Sequence, residues 1–245
     1  MGLQPSLLEG CVFQRRIYFR SMPTETIADR VGRVHSRIAA ACRRSGRTAD
    51  DVTLVAVTKG MAPELVREAF EAGIRHFGEN RVQEAEAKLR ALADVRGGST
   101  WHMVGHLQSN KVKGAIALFD IIHSVDSLHL AETISQRAPV PVPVFLELNL
   151  AAESTKFGFS LHDLPGAYAA MAELPRLDVV GLMTVAPPAQ RAEDVRPIFQ
   201  RLREEARLLG LRGLSMGMSD DFEVAIEEGA THVRIGRAIF GERQR

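Results

Sequence analysis

The stretch Val52-Thr-Leu-Val-Ala-Val-Thr-Lys59-Gly60 decides how this chain is read. It reads as a strand apolar on both faces, the mark of a parallel sheet covered on both sides. Lys59 ends the strand and Gly60 breaks it. Alternation along an extended chain puts Lys59 on the face of Val55 and Val57, toward whatever those residues line. A desolvated lysine holds its proton less tightly, and its neutral amine attacks carbonyls. The plainer alternative is a strand-end lysine snorkelling to water. Composition favours the first reading: lysine occurs only at 59, 88, 111, 113 and 156, so 26 of the 31 basic residues are arginine.

Before this strand, Ile27, Val31, Val34, Ile38 and Ala41 keep helical spacing from a Pro23-Thr24-Glu25-Thr26 start to a Ser45-Gly46 stop. Residues 1–21 look different. Arg15, Arg16 and Arg20 follow the short apolar run, whereas a secretory signal carries its charge before it, so 1–21 is expected to be a disordered extension. Residues 22–245 are expected to form one domain. After the strand the chain repeats a single unit, a short apolar strand followed by an amphipathic helix, without a linker. Strands are predicted at 52–58, 74–77, 101–104, 120–125, 142–149, 177–183, 213–216 and 232–235. Helices are predicted from Pro63 to Gly73, along Val82, Ala85, Leu89 and Leu92, and at 109–118, 127–137, 161–174, 191–209 and 220–228. Eight such units argue for an α/β (β/α)8 TIM barrel preceded by an extra N-terminal helix. A doubly wound open sheet is the alternative, weakened because Lys59-Gly60-Met61 stands where Gly-x-Gly-x-x-Gly would follow the first strand.

A net charge of +1 and a pI of about 7.9 provide no global field for nucleic acid or a membrane surface, so a small-molecule partner is expected. Cys11 and Cys42 cannot build a disulfide framework, and neither has metal-ligand spacing; a reducing cytoplasm is the expected compartment. No apolar run approaches the roughly 18 residues of a membrane span.

In a barrel, chemistry belongs at the carboxyl ends of the strands. Asn80, in Phe77-Gly78-Glu79-Asn80, reads equally as a helix N-cap or a ligand contact. His102 and His106 straddle a strand end rather than one helix face, which disfavours a zinc pair; His102 suits a hydrogen-bonded wall residue. Asp126 reads as a helix cap. Lys156, in the polar loop Glu153–Gly158, is a second amine near the first. Ser215-Met216-Gly217-Met218-Ser219 leads into a helix, where N–H groups and hydroxyls converge at a positive helix end. Val233-Arg234-Ile235-Gly236 does the same and adds a guanidinium able to fork onto a phosphate. Either loop alone has a plainer reading, Ser219 as a cap or Arg234 paired with an acid. Together they describe a phosphate site. A reactive lysine facing that site suits a ligand with an aldehyde at one end and a phosphate at the other. Pyridoxal 5′-phosphate fits, and so does the substrate of a phosphosugar aldolase working through a lysine imine.

Over nearly all of Met22–Gly241 the chain resembles the YggS/PROSC family of pyridoxal phosphate homeostasis proteins. The resemblance is carried by Leu54-Val-Ala-Val-Thr-Lys59, Phe77-Gly-Glu-Asn80, Trp101-His102 through Gly105, Leu107-Gln-Ser-Asn-Lys111, Asn149 with Glu153-Ser-Thr-Lys156-Phe-Gly158, Gly181-Leu-Met183, Leu214-Ser-Met-Gly-Met-Ser219, and Val233-Arg-Ile-Gly236 with Ile239-Phe-Gly241. It implies an alanine-racemase-like barrel holding the cofactor as a Schiff base on Lys59. The phosphate would be held by Ser215, Gly217, Met218 and Ser219 and by the Arg234–Gly236 turn. It also implies a role in intracellular cofactor homeostasis and delivery without known turnover, with cofactor-dependent apo-enzymes as transient partners. Thr58 stands where the family often has serine, and Arg237 where it often has a small hydroxyl residue. The extension 1–21 has no counterpart.

The related racemases and decarboxylases add a C-terminal β domain and a second base, commonly tyrosine. Here the chain stops nine residues after Gly236, and its tyrosines, Tyr18 and Tyr168, lie in the extension and inside a helix. Proton transfer on both faces of a bound amino acid needs two positioned groups, and only Lys59 is evident. The expectation is a monomeric, non-catalytic carrier. A pyridoxal-phosphate enzyme of the racemase or decarboxylase type is the alternative.

Overall fold

A computed structural model describes residues 25–151 and 157–242. The extension 1–21 and Lys156 lie outside the described residues. Eight parallel strands close in sequence order into a barrel: β1 (Thr53–Val57), β2 (His76–Glu79), β3 (Thr100–Met103), β4 (Ile121–Val125), β5 (Val142–Glu147), β6 (Leu177–Met183), β7 (Gly213–Ser215) and β8 (His232–Ile235). β1 pairs with β2 on one side and β8 on the other, which excludes the open sheet.

Around the barrel run α2 (Pro63–Glu71), α3 (Val82–Ala91), α4 (Ala93–Arg96), α5 (Val112–Leu118), α6 (Leu128–Arg137), α7 (Leu164–Ala172), α8 (Arg196–Leu208) and α9 (Phe222–Glu227). Helix α1 (Ile27–Arg44) precedes β1. Thr26 caps it reciprocally with Asp29, and its stripe Ile27, Val31, Val34, Ile38 and Ala41 is buried. Ion pairs Arg37–Glu223 at 2.9 Å and Arg44–Glu227 at 2.6 Å fasten it to α9.

The predicted elements hold with local differences. β2 begins at His76 rather than residue 74, because Ile74 still closes the turn after α2 through its N–H to Ala69 O. β5 ends at Glu147, and Leu148 instead bridges to Phe159. Helix 191–209 opens as a 3₁₀ turn over Ala192–Val195, with Pro197 in the first turn of α8. The short α10 (Arg237–Phe240) escapes periodicity because four residues carry no period.

Alternation along the strands builds two different interiors. Leu54, Ala56, Phe77, Trp101, Met103, Ile122, Leu146, Leu182, Leu214, Val233 and Ile235 form the apolar layer between barrel and helices. The side inside the barrel carries His76, His102, His123, Ser215, His232 and Arg234 beside Val55 and Phe145. Branched apolar side chains usually fill a barrel of this kind; here imidazoles take much of that place.

Candidate functional site

Lys59 follows β1 in a turn closed by Met61 N–H to Thr58 O at 2.9 Å. Gly60, third in the turn, has φ +72°, a conformation that glycine adopts without strain. The turn puts Lys59, which is half-buried, at the carboxyl mouth of the barrel. Val57 pairs with Gly78, so Lys59 and Asn80, each two residues further on, share the inward face. The N-cap of α3 is Arg81, and the cap reading of Asn80 is not realised. Asn80 instead lines a cavity of about 580 Å³ with Met103, His106, Leu107 and Lys111.

On the β8 side of Lys59 the loops after β7 and β8 meet. Ser219 Oγ accepts from Ala238 N at 3.3 Å, and Arg234 N donates to Gly217 O at 2.9 Å. Gly217 has φ +93°, and a Cβ there would sit 2.6 Å from Ala225 Cβ, so the loop lies directly on α9. Met218 N donates to Asp221 Oδ1 at 2.6 Å, and Asp221, not Ser219, is the N-cap of α9. Gly236 lies against β1: a Cβ on it would come within 3.2 Å of Val57 O, two residues before Lys59. The three strand ends β7, β8 and β1 thus join the glycine-containing loops to the lysine.

Arg234 is buried on the inner wall. Its guanidinium donates to Ser215 Oγ at 2.6 Å and to Thr184 O at 2.9 Å, and among the described residues it pairs directly with no acid. Burial lowers its pKa to about 10, opposed by the carboxylates of Glu147 and Asp221, so it stays charged at neutral pH. Ser215 continues into a line of rings. His123 Nδ1 lies 2.7 Å from Ser215 Oγ, His102 Nδ1 lies 2.8 Å from His123 Nε2, and His76 Nδ1 lies 3.0 Å from His102 Nε2. Arg234 can only donate, so Ser215 Oγ accepts from it and has its own hydrogen to place. Passing that hydrogen to His123, and one from each ring to the next, gives every linking hydrogen an acceptor with all three rings neutral. Burial pushes His102 and His123 well below the usual histidine range, in keeping with neutral rings. His232, beside them, is lowered to about 4.

His102 is the hydrogen-bonded wall residue that its place at a strand end implies. His106 diverges from it: the ring bonds Asp126 Oδ2 at 2.9 Å and stacks on Phe157. Asp126 is therefore not the cap of α6; Ser127 is, accepting from Leu130 N at 3.3 Å. Arg237 pairs with Asp220. Among the described residues no group of three or more His, Cys, Asp or Glu side chains could hold a metal ion. No described helix is long and apolar enough to cross a membrane.

Besides the line of rings, two features went unread in the sequence. Glu147, at the end of β5, has its pKa raised by burial to about 7 despite Arg234. Its position near the strand end was the available signal. Lys88, in α3, is buried behind Lys59: its Nζ donates to Thr58 O at 2.6 Å, to Glu79 Oε1, and to Glu84 Oε1 at 3.2 Å. Thr58 Oγ1 also donates to Glu79 Oε1, at 2.5 Å, and Gly60 N donates to Glu84 Oε1.

The sequence matches the alanine racemase N-terminal domain family over residues 35–244. Pyridoxal phosphate homeostasis proteins of Aquifex aeolicus and Pseudomonas aeruginosa are each 44% identical, covering 88% and 89% of this chain and 98% and 96% of the relative. The Escherichia coli protein of that name is 40% identical over 89% of this chain and 97% of its own. PipY of Synechococcus elongatus, solved with pyridoxal phosphate bound, superposes with a TM-score of 0.79 at 37% identity, covering 88% of this chain and all of PipY. Alanine racemase of Corynebacterium glutamicum, at 19% identity and a TM-score of 0.65, shares the fold over 86% of this chain and 61% of the racemase. On this similarity along most of its length, the chain belongs to the alanine racemase N-terminal domain family and, within it, to the pyridoxal phosphate homeostasis proteins.

Proposed function

We propose that this protein binds pyridoxal 5′-phosphate as a Schiff base on Lys59 and serves intracellular cofactor homeostasis and delivery. The observation that carries the reading is the junction at the mouth. Lys59 leaves β1 where the β8 exit touches that strand, and the β8 loop is bonded to the β7 loop that opens α9. The site fits the group. Gly217 and Gly236 let the two loops lie directly on α9 and β1, where a side chain would collide, and Ser219 and the loop N–H groups suit a phosphate. Arg234 supplies a fixed positive charge from the wall rather than a surface fork. When bound, pyridoxal 5′-phosphate supplies an aldehyde for amine capture and an electron-withdrawing ring.

Each residue has a task that follows from its place. Lys59 Nζ holds the aldehyde end, the β7 and β8 loops hold the phosphate end, and Asn80 borders the inward face beside the lysine. Delivery to apo-enzymes, action as a monomer and residence in the cytoplasm are part of this reading. It is supported by the names of the relatives and by the balanced charge of the chain.

One observation favours an enzyme instead. Glu147, with a pKa of about 7 near the mouth, is poised to exchange a proton at neutral pH. Borohydride reduction of the loaded protein followed by peptide mapping tests the anchor. A phosphopyridoxyl adduct on Lys59 that disappears in Lys59→Ala is expected, and an adduct elsewhere overturns the site. Incubating the loaded protein with amino acids separates carrier from enzyme: no racemisation or decarboxylation is expected of a carrier.

A further inference from the structure

An ammonium has three hydrogens, and Lys88 places its own on three acceptors from three elements: Thr58 O at the exit of β1, Glu79 Oε1 at the end of β2, and Glu84 Oε1 within α3. The same two carboxylates take the other polar groups flanking Lys59. Glu79 accepts from the Thr58 hydroxyl at 2.5 Å, and Glu84 accepts from the Gly60 N–H. Residues 58 and 60 are therefore both tied to one buried cation, and Lys59 is the residue between them. Lys88 and Glu79 have side-chain exposures of 4% and 0%, which makes this an interior pair rather than a surface bridge.

Stability alone is a weak reason for such a pair, because the desolvation of two buried charges offsets much of their attraction. Burial indeed pushes the Glu79 carboxyl upward against Lys88 and Thr58, and its Oε2 is buried without a hydrogen-bond partner among the described residues. What the pair does provide is direction. It grips the peptides on both sides of one side chain at the mouth of the site.

We propose that Lys88, with Glu79 and Glu84, is a positioning residue that fixes the backbone of Lys59 so that its amine meets the cofactor aldehyde in one geometry. This rests on the reading of Lys59 as the anchor. Lys88 itself, its three hydrogens engaged, takes no part in capture. A loosened turn would leave Lys59 chemically intact but misdirected, and displacements of about 1 Å at a reacting atom cost up to roughly a hundred-fold.

The test uses the double variant Glu79→Gln/Lys88→Met. It removes one buried charge of each sign, leaving the formal charge behind Lys59 unchanged and the volumes similar, so the chain is expected to fold. Each protein is loaded with pyridoxal 5′-phosphate, and the dissociation constant, the fraction of Lys59 trapped by borohydride and the pH midpoint of the visible band are measured. The visible band reports the Lys59 linkage against the charged groups of the barrel around it: Glu79, Glu84 and Lys88 behind, Arg234 on the adjoining β8, and Glu147 and Asp221 at the ends of β5 and the β7 loop. Expected are retention weaker by roughly ten-fold or more, reduced trapping and a displaced midpoint. Leu202→Ala, a core truncation on α8, is the control that lowers the melting temperature without changing these readouts. Thr58→Ser keeps the hydroxyl and retains wild-type binding, whereas Thr58→Val weakens it. Unchanged retention, trapping and midpoint in the folded double variant overturn the proposal while the anchor stands. Absence of a Lys59 adduct in the wild type overturns the anchor, and the proposal with it.

Discussion

At the scale of single residues, two positions in the mouth make opposite demands. Gly217 is required for its lack of a side chain: at φ +93° with α9 pressed against it, Gly217→Ala combines backbone strain with a clash against Phe222 Cα at 2.9 Å. A loss of about 2 kcal/mol or more is expected in urea unfolding, together with weaker cofactor binding, because the loop must move. Glu147 matters for its proton. With a pKa of about 7 it changes charge at neutral pH beside Arg234, so cofactor affinity in wild-type protein should vary between pH 6 and 8. Glu147→Gln should flatten that variation in titrations followed by the visible band; an unaltered profile removes Glu147 from the site's electrostatics. Neither demand could be weighed from sequence. The glycine stood in a recognisable loop, but α9 beneath it is a tertiary fact, and the elevated carboxyl exists only because the barrel closes around it.

At the scale of elements, the strand and helix pattern was legible because the eight units repeat one alternation of buried strand and amphipathic helix. Lys59, the β7 loop and the β8 turn were legible because they sit where that pattern breaks. What the pattern concealed was the inner face. Strand parity puts His76, His102, His123 and His232 on the same inward side as Val55 and Arg234, yet short strands flanked by motifs carry their sequence signals at the ends rather than in the middles. Lys88 was hidden differently. A lysine on a helix normally reads as solvated, and only the packing of α3 on β2, beside the exit of β1, makes it interior. Breaking the line of rings should be felt at its end: His123→Leu removes the acceptor for the Ser215 hydroxyl hydrogen, leaving that hydrogen buried without a partner while Oγ still accepts from Arg234. A cost of about 1–3 kcal/mol in unfolding is expected, with a smaller cost in His123→Gln, which can still accept.

For the whole molecule, the rings make stability a function of pH. The histidines at 102, 123 and 232 are neutral when folded, with pKa values below the roughly 6.5 of an unfolded histidine. Between those values the unfolded chain binds more protons, so stability is full above about pH 6.5 and falls as pH drops. His232, lowered to about 4, alone accounts for on the order of 3 kcal/mol across that window. Glu147 acts the other way: raised to about 7, it favours the folded chain on the acid side and loses that contribution as pH rises through 7. Glu79 and Asp221, also raised by burial, act in the same direction as Glu147, but the three rings outweigh these carboxyls, and melting temperatures should fall from pH 7 to pH 4. In Glu147→Gln, where its opposing contribution is gone, the fall should be steeper, and a shallower one contradicts the assignment. The same line of rings also carries a record of assembly. His123 and Ser215 are 92 residues apart in the chain, so the line cannot be completed until the second half of the barrel has been laid against the first. Until then nothing dictates which nitrogen of His102 carries its hydrogen. Nitrogen-resolved magnetic resonance of that ring would serve as a clock for ring closure, changing from a mixture of two forms to one when the last strands seal the cylinder.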